Sequence, residues 1–245
     1  WGWLSDQRTA FLELAEASGL QHLEIDERNA LHTSTFGVGE LLLAALDQGA
    51  EKALLLLGGS ATNDGGAGML QALGARFLDR HGEHLPPGGA ALNQLASLEL
   101  NGLDPRLAKL TLEAAVDVDN PLLGEHGASA VFGPQKGASP EEVEQLDRAL
   151  GHFADISAQA LGDDYRKLPG AGAAGGMGFA AKAFLNATLK PGIEMIMQQA
   201  DMASLLARAD LVITGEGRLD GQSLAGKTPI GVSRAAKRLR KPVIV

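Results

Sequence analysis

The sequence predicts a layered α/β fold, and three observations carry that reading. Hydrophobic residues make up 45% of the chain but aromatics only 4%, so the core is built of Leu, Ala and Val, as in packed helix–sheet layers. The apolar run Ala53-Leu54-Leu55-Leu56-Leu57 passes through glycines into Met69-Leu70-Gln71-Ala72-Leu73, which reads as strand, loop and helix. At the far end, residues 209–214, 229–239 and 242–245 read strand, helix, strand, a β-α-β unit with parallel strands.

A length of 245 residues accommodates one large domain or two smaller ones. The formal net charge of −9 argues against a nucleic-acid partner, whose affinity rests on Lys and Arg meeting phosphates. The 32 glycines cluster in loops without a repeating period, which excludes collagen-like and linker readings. With no cysteine, disulfides and thiolate metal sites are ruled out. No apolar stretch nears the roughly 18 residues of a membrane helix. No signal pattern opens the chain. The expectation is a cytoplasmic protein that meets neither nucleic acid nor membrane, with homo-oligomerisation left open.

In chain order, residues 9–14 read as a strand closed by Ala17-Ser18-Gly19. Residues 37–46 read as a helix, with Leu41, Leu42 and Leu46 on one side and Thr33-Ser34-Thr35 available as caps. After the central strand, loop and helix, residues 81–89 hold His81, His84, Pro86 and Pro87 among glycines, a surface loop without metal spacing. Residues 111–118 read as a strand ending in Asp117-Val118-Asp119-Asn120-Pro121. Ser139-Pro140-Glu141-Glu142 starts a helix with a cap, a first-position proline and a capping box. Val143, Leu146, Leu150 and Phe153 then recur at helical spacing. Residues 170–178 contain G-x-G-x-x-G, but the dinucleotide fingerprint needs a strand directly before it, and residues 163–169 are polar and end in proline. That loop is expected to lie close to a ligand or another backbone and to lead into a helix over 179–189.

The chain is organised around Gly58-Gly59-Ser60-Ala61-Thr62-Asn63-Asp64-Gly65-Gly66-Ala67-Gly68. Glycines let backbone approach a ligand, and the helix that follows aims free N–H groups and its positive dipole end at the same space. Ser60, Thr62 and Asn63 add neutral hydrogen bonds. Asp64 does not suit a bare phosphate cradle, because like charges about 4 Å apart repel by roughly 4 kcal/mol near a protein surface. It points instead to a metal bridging to phosphate or to a base for a substrate hydroxyl. The competing reading is that Asp64 simply caps the helix starting near Gly65. Asp117 and Asp119, two apart on a strand, share a face and could hold Mg²⁺; an Asx turn before Pro121 is the alternative, less so for Asp119. Lys136 sits in the tight loop Phe132-Gly133-Pro134-Gln135-Lys136-Gly137, placed either to balance phosphate charge or simply in solvent.

The late strand is followed by Gly215-Glu216-Gly217-Arg218-Leu219-Asp220, and then by residues 221–228, which fit G-x-x-x-x-G-K-[ST]. In a P-loop the first glycine follows its strand directly. Here six residues intervene, and Thr228-Pro229 starts the helix after Lys227, so the P-loop reading fails. Lys227 beside a helix N-terminus still suits a phosphate. The chain has no H-E-x-x-H, and Ser60 is not in a G-x-S-x-G elbow because position 62 is Thr, so zinc and serine-hydrolase readings fall away.

Four segments, GGSATNDGGAGMLQALGARF at 58–77, DVDNPLLGEHGASAVFGPQKGAS at 117–139, GAGAAGGMG at 170–178 and DLVITGEGRLDGQSLAGKTPIGV at 210–232, resemble the bacterial glycerate kinase type 1 family. The likeness runs from about Thr9 to Val245. It implies two α/β domains, with a mixed α/β domain inserted into a Rossmann-like parallel-sheet domain. Residues 1–205 then belong mostly to the inserted domain with its glycine loop, and 206–245 to a partial Rossmann-like domain. The implied reaction moves the γ-phosphate of ATP to D-glycerate, with Mg²⁺, giving 2-phosphoglycerate. The family's P-D-S-F-K and D-G-G-E-G-T segments have no counterpart here, and family members continue past the last strand. The chain is therefore expected to be a piece of a longer protein.

Residues and resemblance together give one expected site. Gly58, Gly59, Ser60, Thr62, Asn63, Gly65 and Gly66, with Lys227, Lys136 and Gly215, hold phosphate or the glycerate carboxylate. Asp64 or Asp119 binds Mg²⁺ or accepts the hydroxyl proton, and Glu216 or Asp220 is the other metal carboxylate. Arg218 neutralises phosphate or pairs with Glu216 or Asp220. The rival expectation is an inactive α/β module that binds a sugar acid or nucleotide. An NAD-dependent oxidoreductase would need a strand-anchored fingerprint, which the sequence lacks.

Overall fold

The computed structural model describes residues 1–215 and 228–245, which form two compact units, 1–189 and 190–245. In the first unit, β1 (Gly2–Leu4) pairs antiparallel with β2 (Thr9–Glu13). Helices α1 (Leu14–Ser18) and α2 (Phe36–Asp47) precede β3 (Lys52–Leu56), and α3 (Ala67–Ala72) follows the glycine loop. β2, β3 and β6 (Thr111–Ala115) run parallel, and the sheet order is β1-β2-β3-β6-β7, where β7 spans Thr188–Lys190. Ala53, Leu54 and Leu55 of β3 are buried. A nearly unbroken apolar run is what a strand covered on both faces requires.

Strands β4 (Arg76–Leu78) and β5 (Ser97–Glu99) form a separate antiparallel pair, which the sequence reading did not anticipate. α4 (Ala128–Phe132) leads through a 3₁₀ turn at Pro134–Lys136 to α5 (Pro140–Leu161). α5 begins as its sequence predicts: the Ser139 hydroxyl accepts from the Glu142 N–H, and the Glu142 side chain accepts from the Ser139 N–H. Its buried stripe includes Leu146, Leu150 and Phe153. The Phe153 ring lies 5.4 Å from Phe77, 5.6 Å from Phe179 and 5.9 Å from Phe184, so four phenylalanines meet at one point of an otherwise aliphatic core. α6 (Ala173–Leu185) starts inside the second glycine loop, with left-handed backbone at Ala174, Gly175 and Gly176.

The second unit holds α7 (Gly192–Gln199), α8 (Met202–Arg208), β8 (Val212–Ile213), α9 (Thr228–Arg238) and β9 (Val243–Ile244). β8 and β9 pair in parallel, as a β-α-β unit requires, and Leu206, Val212 and Ala236 form its small core. Among the described residues, no helix is long and apolar enough to cross a membrane.

Candidate functional site

The site is built on the carboxyl ends of β3 and β6, where loops leave an open parallel sheet. A cavity of about 300 Å³ opens there, lined by residues 57–60 after β3, residues 115–118 at the end of β6, Ala173 and Ala174 at the kink of α6, and Leu20, Phe132, Gln135 and Lys136. Its volume sits at the lower end of small-molecule sites, about 300–1,000 Å³. Gly58 and Gly59 are exposed on this wall, and a Cβ on Gly58 would meet nothing within 4 Å. The Gly59 carbonyl accepts from Leu20 N–H at 2.9 Å, which ties the exposed part of the loop to the chain after α1.

The rest of the loop does something else. Residues 61–68 are buried throughout. Gly65 donates its N–H to the Gly175 carbonyl at 2.9 Å, so the two glycine loops lock together. A Cβ on Gly175 would stand 2.0 Å from the Thr62 carbonyl oxygen, and one on Gly176 would stand 2.7 Å from Gly65 Cα. Both have left-handed φ, at +68° and +95°, so glycine is required there by conformation and by contact together. The expectation that loop 170–178 approaches another backbone is met at Gly175, and its neighbour Ala174 lines the cavity in a left-handed conformation, φ 51°.

Asp64 is 1% exposed and does not line the cavity. Its Oδ2 accepts from the Thr35 N–H and the Thr35 hydroxyl, each at 2.8 Å, and from the Gly68 N–H at 3.2 Å. Its Oδ1 accepts from the Gly66 N–H at 3.1 Å. The Thr35 oxygen in turn accepts from Met69 N–H at 2.9 Å. The leading N–H groups of α3 are therefore satisfied within the protein, and the anion at that helix end is Asp64 itself. This corrects the expectation of a phosphate held by the helix N-terminus. Of the two readings of Asp64, the geometry matches the cap and not a base or metal ligand reaching a substrate. Burial pushes its carboxyl above the ordinary range, against the pull of these donors.

Thr62, Asn63, Gly65 and Gly66, expected to touch phosphate, are likewise enclosed. Asn63 donates from Nδ2 to the Ser129 hydroxyl at 2.9 Å. Thr62 Oγ1 and Asn63 Oδ1 are buried without a hydrogen-bond partner among the described residues. Lys136 is 1% exposed, not the solvated loop lysine that was one of its two readings, and its Nζ donates to the Thr62 carbonyl at 2.6 Å. Burial lowers its pKa from an ordinary 10.5 to about 7, with Asp64 pulling the other way.

β6 ends at Ala115, so Asp117 and Asp119 stand on the loop beyond it and do not share a strand face. Asp117 lines the cavity, whereas exposed Asp119 does not, reversing the expected preference. Among the described residues, no three His, Cys, Asp or Glu side chains group as a metal cage. Gly215 is exposed in the second unit; Glu216, Arg218, Asp220 and Lys227 lie outside the described residues. Sequence reasoning missed Thr35 as a partner of Asp64, since they are 29 positions apart and no local spacing signals the contact. It also missed Gln135 and Ala174 on the cavity wall.

The whole chain, residues 1–245, matches the model of a family described as the glycerate kinase family. The chain is 55% identical to a glycerate kinase of Bacillus subtilis (strain 168) over 243 residues, covering 99% of this chain and 64% of that protein. It is 50% identical to the glycerate 2-kinase of Escherichia coli (strain K12), covering 100% of this chain and 64% of the relative. A crystal structure of a proposed glycerate kinase 2 from Salmonella typhimurium LT2 superposes with a TM-score of 0.93 at 53% identity, over 99% of this chain and 65% of the other. The chain thus spans about 64% of the length of these curated relatives.

Proposed function

The chain belongs to the glycerate kinase family, and from that premise we propose that its cavity serves phosphoryl transfer from ATP to D-glycerate, giving 2-phosphoglycerate. The observation that carries this reading is the placement of a small glycine-walled cavity where β3 and β6 end, with one lysine and one carboxylate on its wall. Phosphoryl transfer asks a protein mainly for positioning and charge neutralisation, and these groups supply both. The backbone at Gly58 and Gly59 and the Ser60 hydroxyl take anionic oxygens, while Lys136 supplies the positive charge. Asp117, the one carboxylate lining the cavity among the described residues, takes the place first given to Asp119.

That donor set fits Mg²⁺, which is held by one or two carboxylates together with phosphate oxygens and water. Asp117 would hold it, and the ion, when bound, would neutralise phosphate charge. Asp64 acts at a distance: it fixes Gly66, Gly68 and Thr35 so that residues 58–60 have a rigid footing. Lys227 and Arg218 are proposed as further phosphate-neutralising cations and Glu216 and Asp220 as further acidic groups, on their sequence context alone. The parallel β8–α9–β9 unit supports the reading of the second unit as part of a Rossmann-like domain.

The test is an assay of ADP release from ATP–Mg²⁺ with the 245-residue chain, with and without D-glycerate, alongside calorimetric binding of each ligand. Glycerate-dependent ADP and 2-phosphoglycerate are the expected products. Binding without turnover assigns the chain the recognition part of the reaction. Failure of both ligands to bind removes the proposal.

A further inference from the structure

We infer that Lys136 takes up a proton from solvent as an anionic ligand enters the cavity, so that a carboxylate or phosphate oxygen and a proton bind together. The inference rests on the reading of the cavity as the ligand site, and it adds a coupling which that reading does not contain.

Lys136 lies on the cavity wall but is shut away from water, and its Nζ finds one acceptor among the described residues, the Thr62 carbonyl. An ammonium carries three donors, so two find no acceptor among the described residues. A neutral amine needs far less solvation and is content with that single partner. The ionisable groups on the surrounding elements are Asp64 on the glycine loop, Asp117 beyond β6 and Arg28, which donates to the neighbouring Gln135 carbonyl. The α4 helix brings none, and the first turn of α5 brings Glu141 and Glu142, the latter held in its capping box. Asp64 favours protonated Lys136, but its carboxylate is already occupied by four donors of its own. The balance leaves Lys136 titrating at about 7. An anion on the same wall supplies both the missing acceptor and the missing counter-charge, which shifts the amine to its protonated form. The step is simple in its balance: amine, solvent proton and anion become an ammonium–anion pair, and no bond of the ligand is broken.

Calorimetry of D-glycerate binding to the 245-residue chain, in two buffers of different ionisation enthalpy, reads the proton directly. A second arm uses ATP. With a lysine titrating at about 7, linkage predicts uptake of about 0.9 proton per ligand at pH 8 and about 0.1 at pH 6. Uptake with glycerate alone assigns the carboxylate as the anion, and uptake with ATP alone assigns the phosphate. The affinity itself falls about eightfold between pH 7.5 and 8.5 by the same linkage. In Lys136→Arg, which stays charged, the uptake disappears; uptake that survives this change overturns the assignment to Lys136. Should that variant not fold or not bind, the wild-type affinity profile decides, and a flat profile overturns the inference. Binding whose heat is independent of buffer at pH 8 overturns the coupling but leaves the cavity reading intact. No binding of either probe from pH 6 to 9 overturns both.

Discussion

Gly58 and Gly175 are loop glycines on neighbouring turns, yet a methyl group added to the first meets nothing within 4 Å, while one added to the second stands 2.0 Å from a backbone oxygen. The same contrast divides the glycine-rich stretch after β3. Residues 58 and 59 face the cavity, and residues 61–68 are packed inside, locked to the second glycine loop and organised by Asp64. One composition thus does two things: it leaves backbone open on the cavity wall, and it allows close backbone contact in the packed layer. The second is what allows the first, because a binding loop holds its geometry only if its supporting layer is fixed.

The contrast is broken most directly at Asp64. Replacing it with Ala strands the Thr35, Gly66 and Gly68 N–H groups in a buried setting. Each such orphan costs about 1–3 kcal/mol, not additively, so a loss of about 3–5 kcal/mol is expected in urea unfolding. An Asp64→Asn protein that keeps wild-type stability but loses activity would return Asp64 to a chemical role. Next in size is Gly175→Ala, which meets the Thr62 oxygen and must hold a left-handed φ of +68°. Overpacking and strain together predict a loss of about 2–4 kcal/mol. A loss below about 0.5 kcal/mol would mean that the loops are not locked in solution.

These two sites also show how far the sequence could be read. The order strand, glycine loop, helix was legible because apolar runs and glycines are local signals, and the start of α5 was legible for the same reason, all its cap residues lying within four positions. The position of the cavity followed from parallel topology, since ligands gather at carboxyl ends of strands. The inward half of the loop was not legible. Asp64 is open to two readings without its partner Thr35, 29 positions earlier in the chain. A strand running to 118 favours Asp119 over Asp117; the strand ends at Ala115, and the loop beyond obeys no period-two alternation. The burial of Lys136 and its hydrogen bond to the Thr62 carbonyl, 74 positions away, are tertiary facts with no local spacing.

Lys136 sharpens the comparison between the open wall and the packed layer, because it belongs to both. Its folded-state value of about 7 lies below the ordinary 10.5, which the unfolded chain retains. Below pH 7 both states carry the proton, and no slope arises. Between pH 7 and about 10 the unfolded chain binds more protons, so the Lys136 contribution to stability rises with pH, by at most about 1.4 kcal/mol per unit. The measurement is the difference in unfolding free energy between wild type and Lys136→Met across that window. A constant difference would mean that Lys136 stays charged in the native protein.

The smallest effect on stability belongs to Gly58→Ala, and it tests the open half of the comparison. Gly58 is exposed, and its backbone is not among those with left-handed φ, so Ala fits without strain. A surface change of this kind shifts stability by no more than about 0.5 kcal/mol. The methyl group projects from a residue that lines the cavity, however, and stands between an incoming anion and the backbone it would approach. D-glycerate should therefore bind several-fold more weakly, a change on the order of 1 kcal/mol by calorimetry. Weakened binding in an undiminished fold would separate the two uses of glycine in one loop. An affinity that does not change would place the ligand's anionic group elsewhere on the wall, at Lys136 without help from Gly58.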